Sequence, residues 1–168
     1  MSLIIHLTGC SCSGKSYIQE EFKDDTRVKM WDILDFYHEQ KIIVNGEVDW
    51  TRYREKAWKL RGVLIDFLES CEDIPVVFIE TIGWNETIND ILSDYPRVIT
   101  IALAVPDKEE LLRRVQKRPD IKEETVLYFY NRFKSSELFD QTMLLQPYEA
   151  GIYIKEWVNG YDMESFQT

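Results

Sequence analysis

The chain has 168 residues, 45% apolar and 30% charged, the balance of one folded domain with its own core. Its net charge of −10 argues against a non-specific nucleic-acid binder or a membrane-surface protein, since both need basic surface. No apolar run approaches the roughly 20 residues of a membrane span, and a first apolar run starting at Leu3 makes a signal peptide unexpected.

In chain order, Leu3 to Leu7 (L-I-I-H-L) is a short apolar run, the pattern of a buried parallel strand. It leads into residues 9–16, G-C-S-C-S-G-K-S. These match G-x-x-x-x-G-K-[ST], with Gly9, Gly14, Lys15 and Ser16 in the four defining places. Phosphate binding explains these residue types. Glycines let the backbone turn tightly and approach phosphate oxygens without a Cβ in the way. Loop N–H groups and the N-terminus of the next helix then face the anion. Lys15 supplies a mobile cation for the β- and γ-phosphates, and Ser16 a hydroxyl for Mg²⁺. Cys10, Ser11, Cys12, Ser13 and Tyr17 complete the candidate cradle for ATP. The loop dipoles beside Lys15 predict thiolate character at Cys10 and Cys12. With Cys71 these cysteines fit neither a zinc ribbon nor C-x-x-C, and read as free thiols of a reducing, cytoplasmic compartment.

A helix is predicted over residues 15–22 and a second strand over residues 27–31. Just past that strand comes D-I-L-D-F-Y-H-E, residues 32–39, where Asp32 and Asp35 stand in the place that open α/β sheets give their ligands. Asn45-Gly46 between apolar residues signals a hairpin. Tyr53, Ala57, Leu60, Leu64 and Phe67 recur at three- and four-residue steps and predict one helix from Trp50 to Ser70. The basic residues on its other faces, Arg52 to Arg61, form either a solvated surface or a reach towards an acceptor. Residues 76–80, V-V-F-I-E, make a strong strand ending in Glu80, as a Walker B strand carries an acid near Mg²⁺.

Asn85 is positioned to cap a short helix to Leu92, and residues 97–105 read as another buried strand. Asp107 with Glu110 has capping-box spacing, which Asp120 and Glu123 repeat. Between them Arg113, Arg114, Lys117 and Arg118 concentrate positive charge. That charge suits a transferring phosphoryl group, or simply the dipole at a helix C-terminus. Gln146-Pro147 reads as a chain break, Gly151 to Val158 as a last strand and Tyr161 to Thr168 as a frayed tail. About five strands alternating with helices predict an α/β fold with a parallel sheet covered on both faces, a P-loop NTPase three-layer sandwich. A single domain over residues 1–168 is expected, with a small lid at about residues 111–125.

This layout resembles the P-loop kinases of small metabolites, and within them the uridine kinase-like group. Four pieces carry the resemblance: the phosphate loop, Asp35-Phe36-Tyr37, Glu80-Thr81-Ile82-Gly83, and the arginine-bearing stretch of residues 105–118. It implies transfer of the γ-phosphoryl group of ATP to a small acceptor, a nucleoside or nucleotide. Asp35 would then be the general base, with Lys15, Arg114 and Arg118 on the transferring group and Mg²⁺ at Ser16, Asp32 and Glu80. Two departures are that Pro119 follows Arg118, passing the lid aspartate's role to Asp120, and that the glycine after the strand acid moves to Gly83. A polynucleotide 5′-hydroxyl kinase is the main variant, which acidity weakens because a phosphate backbone wants a basic groove. A bare nucleotide-dependent switch is the rival, and the length and Asp35 count against it. No membrane partner is expected.

Overall fold

Strand β1 (Leu3–Thr8) is buried along its whole length, and the sheet is assembled around it. The computed structural model describes residues 1–10, 12–83, 85–103, 107–134 and 143–160. Within them, β1 lies between β5 (Val76–Thr81) and β6 (Val98–Leu103), with β2 (Val28–Asp32) and β7 (Met143–Leu145) at the two edges. All five strands are parallel.

Successive side chains of a strand point to opposite faces, and both faces are covered. Ile5 and Leu7 of β1 and Phe78 of β5 pack on α1 (Lys15–Phe22) and α8 (Pro147–Gly160) through Ile18, Phe22 and Ile154. Ile4, Val77 and Ile79 face α2 (Ile33–Glu39), α4 (Leu60–Glu69) and α5 (Glu86–Ser93). This is the expected three-layer α/β arrangement. Beside the sheet, a hairpin of β3 (Ile43–Val44) and β4 (Glu47–Val48) leads into α3 (Trp50–Lys56). Helices α6 (Lys108–Val115) and α7 (Glu123–Lys134) sit on a third apolar cluster that joins Cys10 and Ala102 to Leu111, Val115 and Val126.

Three sequence expectations need correction. Gly151 to Val158 is part of helix α8 rather than a strand. Its β-branched and aromatic residues read locally as a strand, but Ala150, Ile154 and Val158 recur every four residues and are buried together against the sheet. Pro147 opens this helix at its first position, where a missing N–H costs nothing. The fifth strand is instead the short β7 just before it.

The predicted long helix from Trp50 to Ser70 is interrupted by a 3₁₀ turn at Ala57–Lys59. There the Trp58 indole donates to the Glu55 carbonyl (2.9 Å), satisfying an acceptor at the break. Asp107 caps α6 at the Glu110 N–H (2.8 Å), whereas among the described residues Asp120 shows no bond to the start of α7: Arg118 holds its carboxylate. The tail at residues 161–168 and the strand end at residues 104–105 lie outside the described residues.

Candidate active site

Parallel strands end together, so the register decides which side chains meet at the carboxyl edge. Asp32 ends β2 directly beside Glu80 of β5, and Glu80 is opposite Leu7 of β1. The phosphate loop leaves β1 two residues later. Lys15, Asp32, His38, Glu80, Arg118 and Asp120 therefore line one cleft of about 490 Å³ at the carboxyl end of the sheet.

The loop backbone is shaped for close approach. Gly14 has φ 109°, and a Cβ there would lie 2.5 Å from Pro147 Cγ, so only glycine fits. Cys12 also takes a left-handed φ of 64°. The Lys15 ammonium is buried and donates to the carbonyls of Gly9 (2.7 Å) and Cys10 (2.9 Å). Burial lowers its pKa, opposed by the charges of Glu80 and Asp32. Ser16 and Tyr17 are exposed at the start of α1, Ser13 is buried, and Ser11 lies outside the described residues.

The expectation of reactive thiolates at Cys10 and Cys12 is overturned. Cys10 is fully buried, and burial pushes its thiol up to about 11 despite the nearby Lys15. Burial raises Cys12 as well, outweighing the pull of Arg118 and Lys15. Desolvation of the charged form wins over the dipoles of the loop.

Glu80 and Asp32 make the strongest electrostatic feature of the cleft. Glu80 is completely buried, and no donor among the described residues reaches its Oε1. Burial, then the charge of Asp32, raises its pKa to about 8, against the opposing pull of Lys15 and of the Gln19 amide. Gln19 donates to both carboxylates. Asp32 also caps α2, accepting the Leu34 N–H at 2.9 Å.

The orphaned carboxylate oxygen of buried Glu80, the half-buried Asp32 beside it and the Ser16 hydroxyl give an all-oxygen donor set that fits Mg²⁺. Among the described residues, no three His, Cys, Asp or Glu gather into a metal cage. Mg²⁺ commonly dispenses with one, taking one or two protein carboxylates and substrate phosphates instead.

The raised pKa of Glu80 has a stability consequence. Between about 4.5 and about 8 the folded chain holds a proton that the unfolded chain has lost. The contribution of this group is therefore favourable at low pH and is lost as pH rises through that window. In metal-free buffer, Glu80→Gln should raise the melting temperature at pH 8, leave it nearly unchanged at pH 4.5, and flatten the profile between them. A parallel displacement of the two profiles would place the raised pKa elsewhere.

The other expected site residues divide. Arg118 donates to Asp120 through Nε (2.9 Å) and Nη2 (2.7 Å), and both residues line the cleft. This restores an arginine–aspartate pair across Pro119. Arg114 donates to the Cys12 carbonyl (3.0 Å) and to Glu110 (2.9 Å), bracing the phosphate loop from α6. Asp35 lies one turn along α2, exposed, and lines neither the cleft nor the slit beside it. Its pKa is raised by partial burial and by Asp32. Gly83 has φ 71°, and its carbonyl accepts from the Thr8 hydroxyl (3.2 Å), fixing the turn after Glu80.

Next to the cleft, sharing Ile43 with it, is a narrow slit walled by Tyr37, Trp50, Tyr53, Ile82, Asn85 and Phe129. The basic residues of α3 and α4 line neither space; Arg61, for example, pairs with Asp90 on the surface (2.6 Å). The motif Asp35-Phe36-Tyr37 offers Phe36 and Tyr37 as walls of an acceptor pocket, and Tyr37 is one; sequence reasoning missed the other walls because they come from separate stretches. It also missed Gln19, whose only signal was its place one helical turn after Lys15.

No family model and no curated protein matches the chain. Solved structures do. A sugar kinase from a Janibacter species superposes with a TM-score of 0.67 at 16% identity, over 95% of each chain. The tunicamycin resistance protein of Deinococcus radiodurans gives 0.61 at 15%, over 96% of this chain and 98% of that one. Shikimate kinase from Aquifex aeolicus gives 0.52 at 18%, over 99% and 100%. At these identities the likeness establishes the fold, that of P-loop kinases.

Proposed function

We propose that the chain is an ATP-dependent kinase that passes the γ-phosphoryl group to a hydroxyl of a small acceptor, with a nucleoside or nucleotide the acceptor that best fits the slit. One observation carries this reading. The phosphate-loop lysine, the buried Glu80 and the half-buried Asp32 line the same cleft, and a separate aromatic slit opens beside it. A bare hydrolase has no use for a second pocket.

The slit favours a planar base over a polyol. Tyr37, Trp50, Tyr53 and Phe129 offer rings, while Asn85 is the one amide side chain among the described residues that wall it. A sugar acceptor would leave its hydroxyls poorly paired there, and sites built on hydroxyl recognition depend on such pairing. The free space is only about 20 Å³, so a base enters as the walls part. Net acidity still counts against a polynucleotide acceptor.

In the reaction, Lys15 and the loop N–H groups bind the β- and γ-phosphates and gain strength as charge develops on them. Ser16 and Glu80, with Asp32 beside them, would hold Mg²⁺, which supplies neutralisation of phosphate charge. Arg118, held by Asp120, stands over the transferring group. Asp32 is the carboxylate in the cleft that can take the acceptor's proton, with Asp35 the alternative one turn away. The fold family and the free thiols are consistent with a cytoplasmic enzyme.

The decisive experiment is incubation of MgATP with and without a panel of nucleosides and nucleotides. ADP should form in step with phosphorylated acceptor. ADP formed equally without acceptor would make the chain a hydrolase.

The two arginines should respond differently. Arg118→Ala should lower turnover by about 10²-fold with MgATP affinity little changed, as loss of a charge-stabilising donor does. Arg114→Ala should act mainly on MgATP affinity, because Arg114 holds the loop at Cys12. Steady-state kinetics beside a binding titration reads both, and the reverse pattern would exchange the roles.

A further inference from the structure

The tip of the β3–β4 hairpin rests on the lid segment. Asn45 (φ 52°) and Gly46 (φ 77°) are both left-handed, as a two-residue I′ turn requires. The Gly46 carbonyl accepts the Thr125 hydroxyl at 2.7 Å and the Lys122 N–H at 3.4 Å. The approach is close: a Cβ on Gly46 would lie 3.0 Å from both Ile121 Cα and Lys122 N. Beside this contact the Lys122 ammonium pairs with Glu47, and Trp50 meets Tyr128 edge-on at 5.0 Å. The ion pair is exposed and worth little. Thr125 is buried, so its hydrogen bond is the one whose loss strands a polar group away from water.

The two bodies joined here carry mainly different parts of the site, although Ile43 of the hairpin also lines the cleft and Phe129 of α7 the slit. Ile43 and Val48 of the hairpin, with Trp50, wall the aromatic slit. Arg118, Asp120 and Ile121, just before Lys122, wall the phosphate cleft. We propose that Thr125 is a positioning residue that couples these parts. Its O–H to the Gly46 carbonyl makes the hairpin and the lid move as one body. Nucleotide in the cleft then steadies the slit wall, and acceptor in the slit steadies the lid by the same amount, since coupling between two ligands is reciprocal. This device rests on the nucleotide-binding reading above. It supplies a reason for the hairpin's sharp turn and for the glycine at position 46.

Amide hydrogen exchange on the full chain, with and without MgADP, tests it in three segments: residues 9–17, 118–126 and 42–49. In the wild type MgADP should slow exchange in all three. Thr125→Val keeps the shape and removes the hydroxyl. It should leave the slowing at residues 9–17 intact and cut that at residues 42–49 by about fivefold or more, the low end of ordinary coupling. Thr125→Ala should do the same, and Thr125→Ser, which keeps the hydroxyl, should restore the wild-type response. Slowing at residues 9–17 with none at the hairpin, or a Thr125→Val chain that responds like wild type, would overturn the coupling alone. Slowing nowhere in the wild type would overturn the nucleotide reading and this inference with it.

Discussion

Lys15→Met should lower phosphoryl transfer by about 10³-fold or more while the chain stays folded, the scale on which preorganised charge acts on a transition state. Methionine keeps the length of the stem, so the buried position stays filled. What is lost is a cation in a site with two acids. Glu80 and Asp32 both pull on Lys15, and Lys15 in turn holds down the pKa of Glu80. Removing it should therefore also raise Glu80 further, making the variant's stability fall with pH over a wider window than in the wild type. Two readouts follow from one substitution: transfer from MgATP, and melting temperature against pH without metal. Wild-type turnover in a folded variant would mean that the loop binds something other than the reacting phosphates.

The parts of this site that local sequence encodes were legible from the residues themselves, and those that depend on strand order were reached only through the family resemblance or not at all. The loop, its glycines, Lys15 and the strand before it fall within the first 16 residues, where spacing alone defines the geometry. Asn45-Gly46 announced the hairpin and Asn85 the cap of α5, because both act through their own backbone. The acid pair is different. Asp32 and Glu80 are 48 positions apart, and they meet only because β2 is next to β5 rather than next to β1. Nothing in either stretch states that order.

The same holds for the slit, whose rings come from α2, α3 and α7. The cysteines show a second kind of failure. Dipoles and Lys15 can be read from the motif, whereas the depth of burial that keeps Cys10 protonated depends on Leu111 of α6 and Val126 of α7 packing over it. Helix α8 shows a third. Its residues have strand propensity, and the four-residue recurrence that decides the matter has meaning only against a sheet face.

Which carboxylate takes the acceptor's proton is settled by a pair of substitutions, and Asp32→Asn should show the larger effect. It should cost about 10²- to 10⁴-fold in turnover, the range for a general base. Asparagine is as good an N-cap as aspartate, so the bond to the Leu34 N–H survives and α2 stays in place. The substitution also removes the Asp32 charge, which after burial is the largest cause raising Glu80, so its pKa should fall and the pH dependence of stability should shrink. A loss of turnover with Mg²⁺ affinity unchanged assigns Asp32 to the proton. A loss that added Mg²⁺ restores assigns it to the metal beside Ser16 and Glu80. Asp35→Asn should have little effect, because Asp35 is exposed and outside both the cleft and the slit. A large loss at Asp35 with none at Asp32 would move the base one helical turn outward and would mean that the acceptor approaches along α2. Little loss at either would mean an acceptor that is already an anion, such as a monophosphate, for which no base is needed, and would make the chain a nucleotide rather than a nucleoside kinase.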